Sequence, residues 1–356
     1  MTYAIPKDAL EADQKIHRLL KSVSFSRHLN PTNVQQAHRA FNSGSSIPPF
    51  EYIPLAKPDE ILSFLTAAKP KSNHPASKLI NEKINSIELL TIALRDRTKD
   101  AFDRLAIQQN WFPTQALLDL RFDEKSHDYS PMDQPAKTLI QQLRKALAER
   151  GLHSWKVEED TVMSARVLVD GAKHLLRVNP YSRFRASDIQ RLIVHEIDVH
   201  AMRSFNGAGQ PLRLFQTGLP NSLQTEEGLA MVAEQKAKVQ SPGTLMRQTE
   251  VVFAIDLARK VGFFDLYQTL KERIGPALAW SICLRVKRGL KNPEQPGVYA
   301  KDSVYLAGWQ NVSNWLKQGN DISLLYVGEV GLQHPVQQWI EQGWVRKAKV
   351  PHLWYE

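Results

Sequence analysis

Several features that define common classes of protein are missing from this chain. Cys283 is the only cysteine among 356 residues, so no intrachain disulfide can form. It lies in the apolar segment W-S-I-C-L, where we expect a small buried side chain rather than a nucleophile. No run approaches the roughly 18 apolar residues of a membrane-spanning helix, and residues 1–8 lack the apolar core of a signal peptide. These absences predict a cytoplasmic protein with no membrane partner.

Signals for nucleic-acid binding are also missing. The chain has no Gly-rich phosphate loop, no zinc-finger cysteine pairs and no basic–aromatic repeat. It nevertheless carries a net charge of +9, from 46 Lys and Arg residues against 37 Asp and Glu residues. A basic surface attracts acidic partners over long distances. The charge therefore favours an acidic peptide tail over a nucleic acid as the partner.

A pattern of metal-ligand residues occupies the middle of the chain. The segment H-E-I-D-V-H places His195, Glu196 and His200 close together, and T-E-E-G-L-A follows at residues 225–230. Two histidines and one glutamate are a known ligand set of catalytic zinc, which keeps one coordination position open. Glu196 is positioned to act as a general base toward water. The pattern predicts metal-assisted hydrolysis of a peptide bond, with either of the two adjacent glutamates as the third ligand.

The spacing of the two histidines differs from the common H-E-x-x-H motif, in which four residues bring both onto one helix face. His195 and His200 are five residues apart, so a regular α-helix would leave them roughly 140° out of phase. A π-type turn with i→i+5 hydrogen bonds would correct this, and such turns concentrate at functional sites. We therefore predict a π-type widening across residues 194–202. A helix that ends near Val199 is the alternative.

The surrounding segments predict a small catalytic core. Residues 165–178 are typical of a β-hairpin, and residues 155–157 are expected to add a strand. Residues 186–202 and 226–234 are each predicted to form a helix. Gly228, inside the second of these helices, suggests that another helix or a ligand approaches its backbone closely. A strand that leads into a metal-binding helix is a zincin-like layout, and the strand edge can hold an extended peptide.

The combination of motifs resembles a known family of peptidases. H-E-I-x-x-H-x-x-R-x-x-N at residues 195–206 and E-G-L-A at 227–230 are similar to the tubulin tyrosine carboxypeptidase-like metallopeptidases. That family includes bacterial proteins labelled flavohaemoglobin expression-modulating, which are named for a Q-E-G-L-A motif. The likeness extends upstream to R-V-N-P at 177–180 and downstream to Y-A-K-D-S-V-Y-L at 299–306. It covers roughly residues 165–318.

The resemblance implies roles for individual residues. His195, His200 and Glu227 correspond to the zinc ligands of the family, and Glu196 corresponds to its catalytic base. Glu226 stands where the family often has glutamine, so this chain has two adjacent candidates for the third ligand. Glu227 is preferred because it directly precedes G-L-A.

Substrate contacts are predicted from the resembling segments and from the chemistry of peptide ends. Tyr305 and Arg203 are candidates to stabilise the negative charge that develops on the scissile carbonyl. A carboxypeptidase also binds a terminal carboxylate, which matches the planar fork of arginine. Arg203 is the first candidate for that contact and Lys301 the second. Asp198 is a candidate to accept a hydrogen bond from a histidine N–H and so fix its tautomer.

The chain as a whole is expected to be an α+β protein, mostly helical, with a small antiparallel sheet and a zincin-like metallopeptidase core. Three regions are predicted: helical residues 1–130, a catalytic core at 131–240, and helical residues 241–356 that complete the cleft. The predicted function is a zinc-dependent carboxypeptidase that acts on a peptide or protein C-terminal tail. A basic binding or regulatory protein with a structural or degenerate metal site is the alternative. Exo- versus endo-cleavage and the oligomeric state stay open.

Overall fold

Helices dominate the molecule. The computed structural model describes residues 4–122, 130–161, 163 and 165–355, and most of them are helical, which confirms the predicted helix-rich α+β class. The α-helices are α1 (Lys7–Ser22), α2 (Phe25–Leu29), α3 (Val34–Asn42), α4 (Pro58–Ala68), α5 (Pro75–Asp96), α6 (Lys99–Gln108), α7 (Gln115–Leu118), α8 (Ala136–Glu149), α9 (Ala186–Leu192), α10 (Met202–Ala208), α11 (Leu214–Thr217), α12 (Leu223–Lys236), α13 (Thr244–Ala258), α14 (Phe263–Ile274), α15 (Pro276–Lys287), α16 (Val304–Lys317) and α17 (Val336–Glu341).

Two small sheets, one π-helix and four short 3₁₀ turns complete the described elements; the turns span Gly171–Lys173, Ala300–Ser303, Ile322–Tyr326 and His352–Trp354. The π-helix spans Ile193–Ala201 and joins α9 to α10 without a break. The strands are β1 (Gln134–Pro135), β2 (Lys156–Glu159), β3 (Val167–Asp170), β4 (Leu175–Val178) and β5 (Arg183–Phe184). β1 and β5 form an antiparallel pair, and the other three form a sheet in the order β2–β4–β3.

The three-stranded sheet confirms one prediction and corrects another. β3 and β4 pair antiparallel, with Val169 opposite Leu176, so the hairpin predicted at 165–178 is present. β2 forms the strand expected near 155–157, but it runs parallel to β4, with Val157 also opposite Leu176. The expectation of a purely antiparallel sheet is therefore wrong. A four-residue strand pattern identifies which face is buried, but it does not specify the direction of the partner strand.

Local sequence signals explain where several helices begin. Proline occupies the first position of α4, α5 and α15, where its missing N–H has no helical partner to lose. The Thr98 hydroxyl accepts a hydrogen bond from the backbone of Ala101 at the start of α6, and Thr114 does the same for Leu117 in α7. These capping contacts satisfy backbone donors that would otherwise be unpaired at helix starts.

The main hydrophobic core draws on all three predicted regions. Ile84, Leu143 and Ile255 belong to the same buried cluster although they come from different regions. The three-region division therefore stays a prediction, because packing does not separate the regions. Cys283 is fully buried in this core, as expected. Among the described residues, no helix combines the length and the apolar character needed to cross a membrane.

A glycine pair sets the distance between the two helices that border the candidate site. Gly228 of α12 faces Gly308 of α16, and a Cβ atom on Gly228 would overlap the backbone carbonyl carbon of Gly308. The close approach predicted for Gly228 is confirmed, and the partner is another helix. The contact brings residues at the start of α16 next to the acidic residues of α12.

Candidate active site

The π-helix brings the two motif histidines onto one face. It covers residues Ile193–Ala201, which confirms the widening predicted from their spacing. The alternative, a helix that ends near Val199, is wrong because α10 continues the helix to Ala208. The His195 and His200 rings lie 4.8 Å apart between centroids, with an interplanar angle of 75°. In this π-helix, two residues that are five apart in sequence therefore lie on the same face, as residues four apart do on an α-helix.

Both histidines point their Nε2 atoms at the same carboxylate oxygen. Oε2 of Glu227, on α12, lies 3.8 Å from Nε2 of His195 and 3.8 Å from Nε2 of His200. The candidate ligand atoms of these three residues all lie within 4.8 Å of one another. The structure thus brings together the three side chains that the sequence singled out. Separations of this size allow the three atoms to share one metal ion with little rearrangement.

A second carboxylate holds the other nitrogen of each histidine. Nδ1 of His195 lies 2.7 Å from Glu234, and Nδ1 of His200 lies 2.6 Å from Glu226. When Nδ1–H donates to a carboxylate, the Nε2 lone pair is directed toward the cleft, as in metal-binding histidines. Sequence reasoning missed both contacts. Glu234 was detectable in principle, because it follows Glu227 by seven residues, or about two helical turns, on the same face of α12.

Two predicted contacts near the histidines are corrected by the structure. Asp198, expected to accept from a histidine, is buried and pairs with Arg150 of the loop after α8. Asp198 is not among the described residues that line the cleft, and its carboxylate is paired with Arg150 instead of a histidine. Glu226, the rival candidate for the third ligand, lies behind His200 and binds Nδ1 on the side opposite Glu227.

Arg203 is buried away from the cleft, contrary to its predicted roles as an oxyanion donor and as the contact for a terminal carboxylate. Its side chain is 0% exposed, and it is not among the described residues that line the cleft. Its guanidinium pairs with Glu226 and donates to the backbone carbonyls of Leu325, Gly328 and Val330 at 2.6–3.1 Å. A terminal carboxylate or an oxyanion has no route to these donors. Arg203 instead supports Glu226, which in turn holds His200.

Carboxylates and imidazoles strongly shift each other's pKa values at the three candidate ligands. Burial disfavours a charged His195, yet the carboxylates of Glu227 and Glu234 outweigh burial and raise its pKa above the ordinary range. Burial likewise opposes the charge of Glu227, but contacts with both histidines and the charge of Lys301 lower its pKa. An environment that stabilises a proton on buried imidazoles also stabilises a metal cation at the same nitrogens.

A cleft of about 800 Å³ opens onto these residues. Glu196 lines it beside His195 and is half-buried. Lys301, in the 3₁₀ turn Ala300–Ser303, and Tyr305, at the start of α16, also line it. Burial, reinforced by the charge of Glu227, raises the pKa of Tyr305 well above its ordinary value. The Tyr305 hydroxyl therefore stays protonated and can donate a hydrogen bond into the cleft. The structure thus places Glu196, Lys301 and Tyr305 together, but it excludes Arg203 from the group.

Comparison with known proteins identifies the family. The sequence model of the family described as microtubule-associated tyrosine carboxypeptidase (MATCAP) matches residues 48–356, which is most of the chain. The chain belongs to the MATCAP family. This confirms the resemblance to tyrosine carboxypeptidases that the motifs at 195–206 and 227–230 indicated.

Curated members of the MATCAP family match at modest identity. "Microtubule-associated tyrosine carboxypeptidase 1" of Rattus norvegicus is 30% identical over 204 residues, or 56% of this chain and 42% of the relative. Its Mus musculus counterpart is 28% identical over 203 residues, or 56% and 43%. "Putative tyrosine carboxypeptidase MATCAP2" of Homo sapiens is 27% identical over 199 residues, or 53% and 38%. The matched part of the chain spans about two fifths of the length of these relatives.

One wall of the cleft lies outside the MATCAP match. The match begins at residue 48, yet Phe25, Leu29, Pro31 and Val34 line the cleft from α2 and the start of α3. Arg97 anchors this segment, because its Nη2 donates to the backbone carbonyl of His28 at 2.7 Å. Part of the surface of the cleft is therefore built from residues that the family model does not cover.

Proposed function

We propose that this protein is a zinc-dependent carboxypeptidase that hydrolyses a C-terminal peptide bond. The observation that carries the proposal is the convergence of Nε2 of His195, Nε2 of His200 and Oε2 of Glu227, with both Nδ1 atoms held by further carboxylates. Two imidazoles and one carboxylate are the protein ligands of known zinc peptidases. The curated relatives carry the name tyrosine carboxypeptidase, which supports the reaction class.

The donor atoms fit zinc in kind and in spacing. A tetrahedral ion with bonds of about 2.1 Å needs ligand atoms roughly 3.4 Å apart. The two Nε2-to-Oε2 distances of 3.8 Å are close to that separation. Bound zinc would lower the pKa of a water molecule toward about 7 and polarise the scissile carbonyl. We propose that the π-helix and the neighbouring edge strand β3 form a zincin-like core.

Glu196 is the proposed general base. It follows His195 directly in the chain and lines the cleft, and its negative charge acts on both His195 and Tyr305. A carboxylate at this position accepts the proton of the attacking water and passes it to the leaving amine. Glu196 is a separate group from the three proposed ligands, so it keeps its charge available for proton transfer.

Tyr305 is the proposed donor to the developing oxyanion. Its hydroxyl faces the cleft near Glu227 and remains protonated because burial and neighbouring carboxylates oppose its ionisation. A fixed neutral donor stabilises negative charge that appears only in the transition state. The proposed role requires the phenolic O–H rather than the aromatic ring.

Lys301 and the edge of β3 are the proposed peptide-binding elements. The positive charge of Lys301 acts on Glu227, which places the ammonium group beside the proposed ligand set. β3 is an edge strand, and Val167, Leu168 and Val169 line the cleft, so its free edge can pair with an extended peptide. The net charge of +9 favours an acidic tail as substrate. The single buried cysteine suits a reducing cytoplasm.

Metal analysis combined with peptide hydrolysis tests the proposal. We expect about one zinc ion per purified chain, lost in His195→Ala because one ligand is removed. Glu196→Gln should keep the metal and lower kcat for peptide cleavage by about 10²- to 10⁴-fold, because the base is removed. The exposed His153 offers a matched control, and His153→Ala should retain both metal and activity.

Two outcomes would refute parts of the proposal. Full activity of Glu196→Gln would rule out Glu196 as the base. A zinc-loaded protein that cleaves no peptide but binds acidic polymers tightly would instead support a basic binding or regulatory protein with a degenerate metal site.

A further inference from the structure

A group of cationic side chains lines the cleft close to the acidic residues of α12. Arg285, Arg288 and Lys301 form this group, and Asp302 is the carboxylate that lies among them. Asp302 is 2% exposed, and both arginines bind it. Three cations and one buried carboxylate give this group of side chains a net positive charge. Such a cationic group attracts an anionic part of a substrate.

Asp302 fixes the position of Arg285, and much of that side chain stays exposed. Nε of Arg285 donates to Oδ2 of Asp302 at 2.8 Å, and the Arg285 side chain is 45% exposed. Arg288 lies deeper, with a side chain only 16% exposed, and Nη2 donates to Oδ1 of Asp302 at 3.2 Å. A guanidinium held by one edge loses little further freedom when its other edge binds a ligand.

Arg285 is also adjacent to the reacting groups. Its guanidinium lies within hydrogen-bonding range of the Tyr305 hydroxyl, and both side chains line the cleft together with Glu227. In a peptide, the last carbonyl before the C-terminus and the terminal carboxylate are one residue apart, or roughly 3.5 Å. A carboxylate site next to the oxyanion donor therefore has the spacing that removal of a single C-terminal residue requires.

Apolar side chains surround this cationic group. Leu29, Trp111 and Leu284 line the same cleft, and Arg288 lies over the Tyr299 ring with its guanidinium carbon 5.0 Å from the ring centroid. Trp111 packs edge-on against Tyr299 at 5.6 Å between centroids. A terminal residue with a large apolar or aromatic side chain would thus find apolar contacts beside the cations.

We propose that Arg285, held in place by Asp302, binds the C-terminal carboxylate of the peptide and so directs cleavage to the chain end. The proposal rests on the proposed carboxypeptidase function and adds a specificity residue to it. The planar fork of Arg285 forms two parallel hydrogen bonds with a carboxylate, which a lysine cannot do. Asp302 acts through Arg285 and is a positioning residue.

The test uses two acetylated peptides of one sequence that end in tyrosine, one with a free carboxylate and one with an amide. Hydrolysis by the zinc-loaded full chain gives kcat/KM for each, and fluorescence anisotropy gives the Kd of each for the Glu196→Gln variant. We expect wild type to prefer the free carboxylate. Arg285→Gln should weaken cleavage and binding of that peptide roughly 10- to 100-fold and leave the amide peptide unchanged.

Three further variants make the result specific. Arg285→Lys should restore part of the carboxylate preference, because it keeps the charge without the fork. Arg104→Gln removes an exposed arginine of α6 that pairs with Asp100, and it should change neither peptide. Asp302→Asn should weaken the carboxylate preference while zinc content stays that of wild type.

Each remaining outcome overturns the proposal or separates it from the peptidase function. Wild type that cleaves and binds both peptides alike contradicts the carboxylate site but leaves a peptidase. An equal loss for both peptides in Arg285→Gln, or loss of the preference only in Lys301→Gln, also contradicts it. If wild type cleaves neither peptide, the peptidase function fails. In that case, peptide binding that depends on both Arg285 and the free carboxylate would still support the carboxylate site. Binding that depends on neither would overturn it.

Discussion

Each candidate zinc histidine is held by a chain of charged groups that extends away from the cleft. Glu234, behind His195, accepts a hydrogen bond from Nη1 of Arg191 at 3.2 Å. Glu226, behind His200, forms an ion pair with the guanidinium of Arg203. Each imidazole thus has a carboxylate at Nδ1, and each carboxylate has an arginine. Such a carboxylate fixes the tautomer and increases the basicity of Nε2. We infer that these outer residues contribute to metal affinity without contacting the metal.

Substitution of Glu234 should weaken metal binding without unfolding the protein. Glu234→Ala removes the acceptor at Nδ1 of His195, so we expect metal affinity to fall by about 10- to 100-fold. Glu234→Gln should have a smaller effect because an amide oxygen still accepts. Competition with a chromogenic chelator measures both affinities. Glu272→Ala, at an exposed glutamate of α14, is the control. Unchanged affinity in Glu234→Ala would show that Nδ1 needs no carboxylate.

At the level of elements, local signals were sufficient for some predictions and not for others. The five-residue spacing of His195 and His200 predicted the π-helix, because helix geometry depends on neighbouring residues. Gly228 predicted the close approach of a helix or a ligand, because a glycine inside a helix is unfavourable unless its missing side chain makes room, but it did not identify Gly308 as the partner. Arg203 was misassigned because its carbonyl partners lie more than 120 residues away in sequence. Asp198, paired with Arg150 48 residues upstream, was misassigned for the same kind of reason.

The contact of α12 with α16 gives a prediction at this scale. Gly228→Ala places a methyl group where the backbone of Gly308 lies, so the helices must separate. We expect a loss of about 1–3 kcal/mol in the free energy of unfolding. Metal affinity should fall as well, because Glu227 precedes Gly228. Urea denaturation and chelator competition measure the two effects. Gly209→Ala is the control, since its φ of −82° suits alanine. Equal stability of Gly228→Ala and wild type would mean that the helices tolerate wider spacing.

At the scale of the whole molecule, a segment near the C-terminus packs behind the candidate site. Residues 325–330 supply the three backbone carbonyls that accept hydrogen bonds from the Arg203 guanidinium. Glu329 exchanges backbone hydrogen bonds with Phe215 and Leu219, and the Leu332 N–H donates to the Thr225 hydroxyl beside the acidic residues of α12. The position of Glu226, and with it His200, therefore depends on a segment of the chain about 100 residues away in sequence. No periodicity or motif in the sequence indicated this segment.

His334, just after residues 325–330, is expected to make the stability of the folded protein sensitive to acid. Its Nδ1 accepts the backbone N–H of Gly331 at 2.8 Å, and burial, together with the charge of Arg203, lowers its pKa to about 4. Between about pH 6.5 and pH 4 the unfolded chain binds a proton at this residue that the folded chain excludes. The free energy of unfolding should therefore fall as the pH decreases through this range. At pH 5 the contribution of His334 to this loss should be about 2 kcal/mol.

His334→Asn isolates that contribution, because the amide oxygen can replace Nδ1 as acceptor but does not titrate. We expect metal-free wild type to lose about 1–2 kcal/mol more than His334→Asn between pH 7.5 and pH 5 in urea denaturation with EDTA present. His195, His200 and the carboxylates titrate in both proteins, so their effects cancel in the difference. His153→Asn, at an exposed histidine, should follow wild type. Parallel stability curves for wild type and His334→Asn would show that acid acts elsewhere in the molecule.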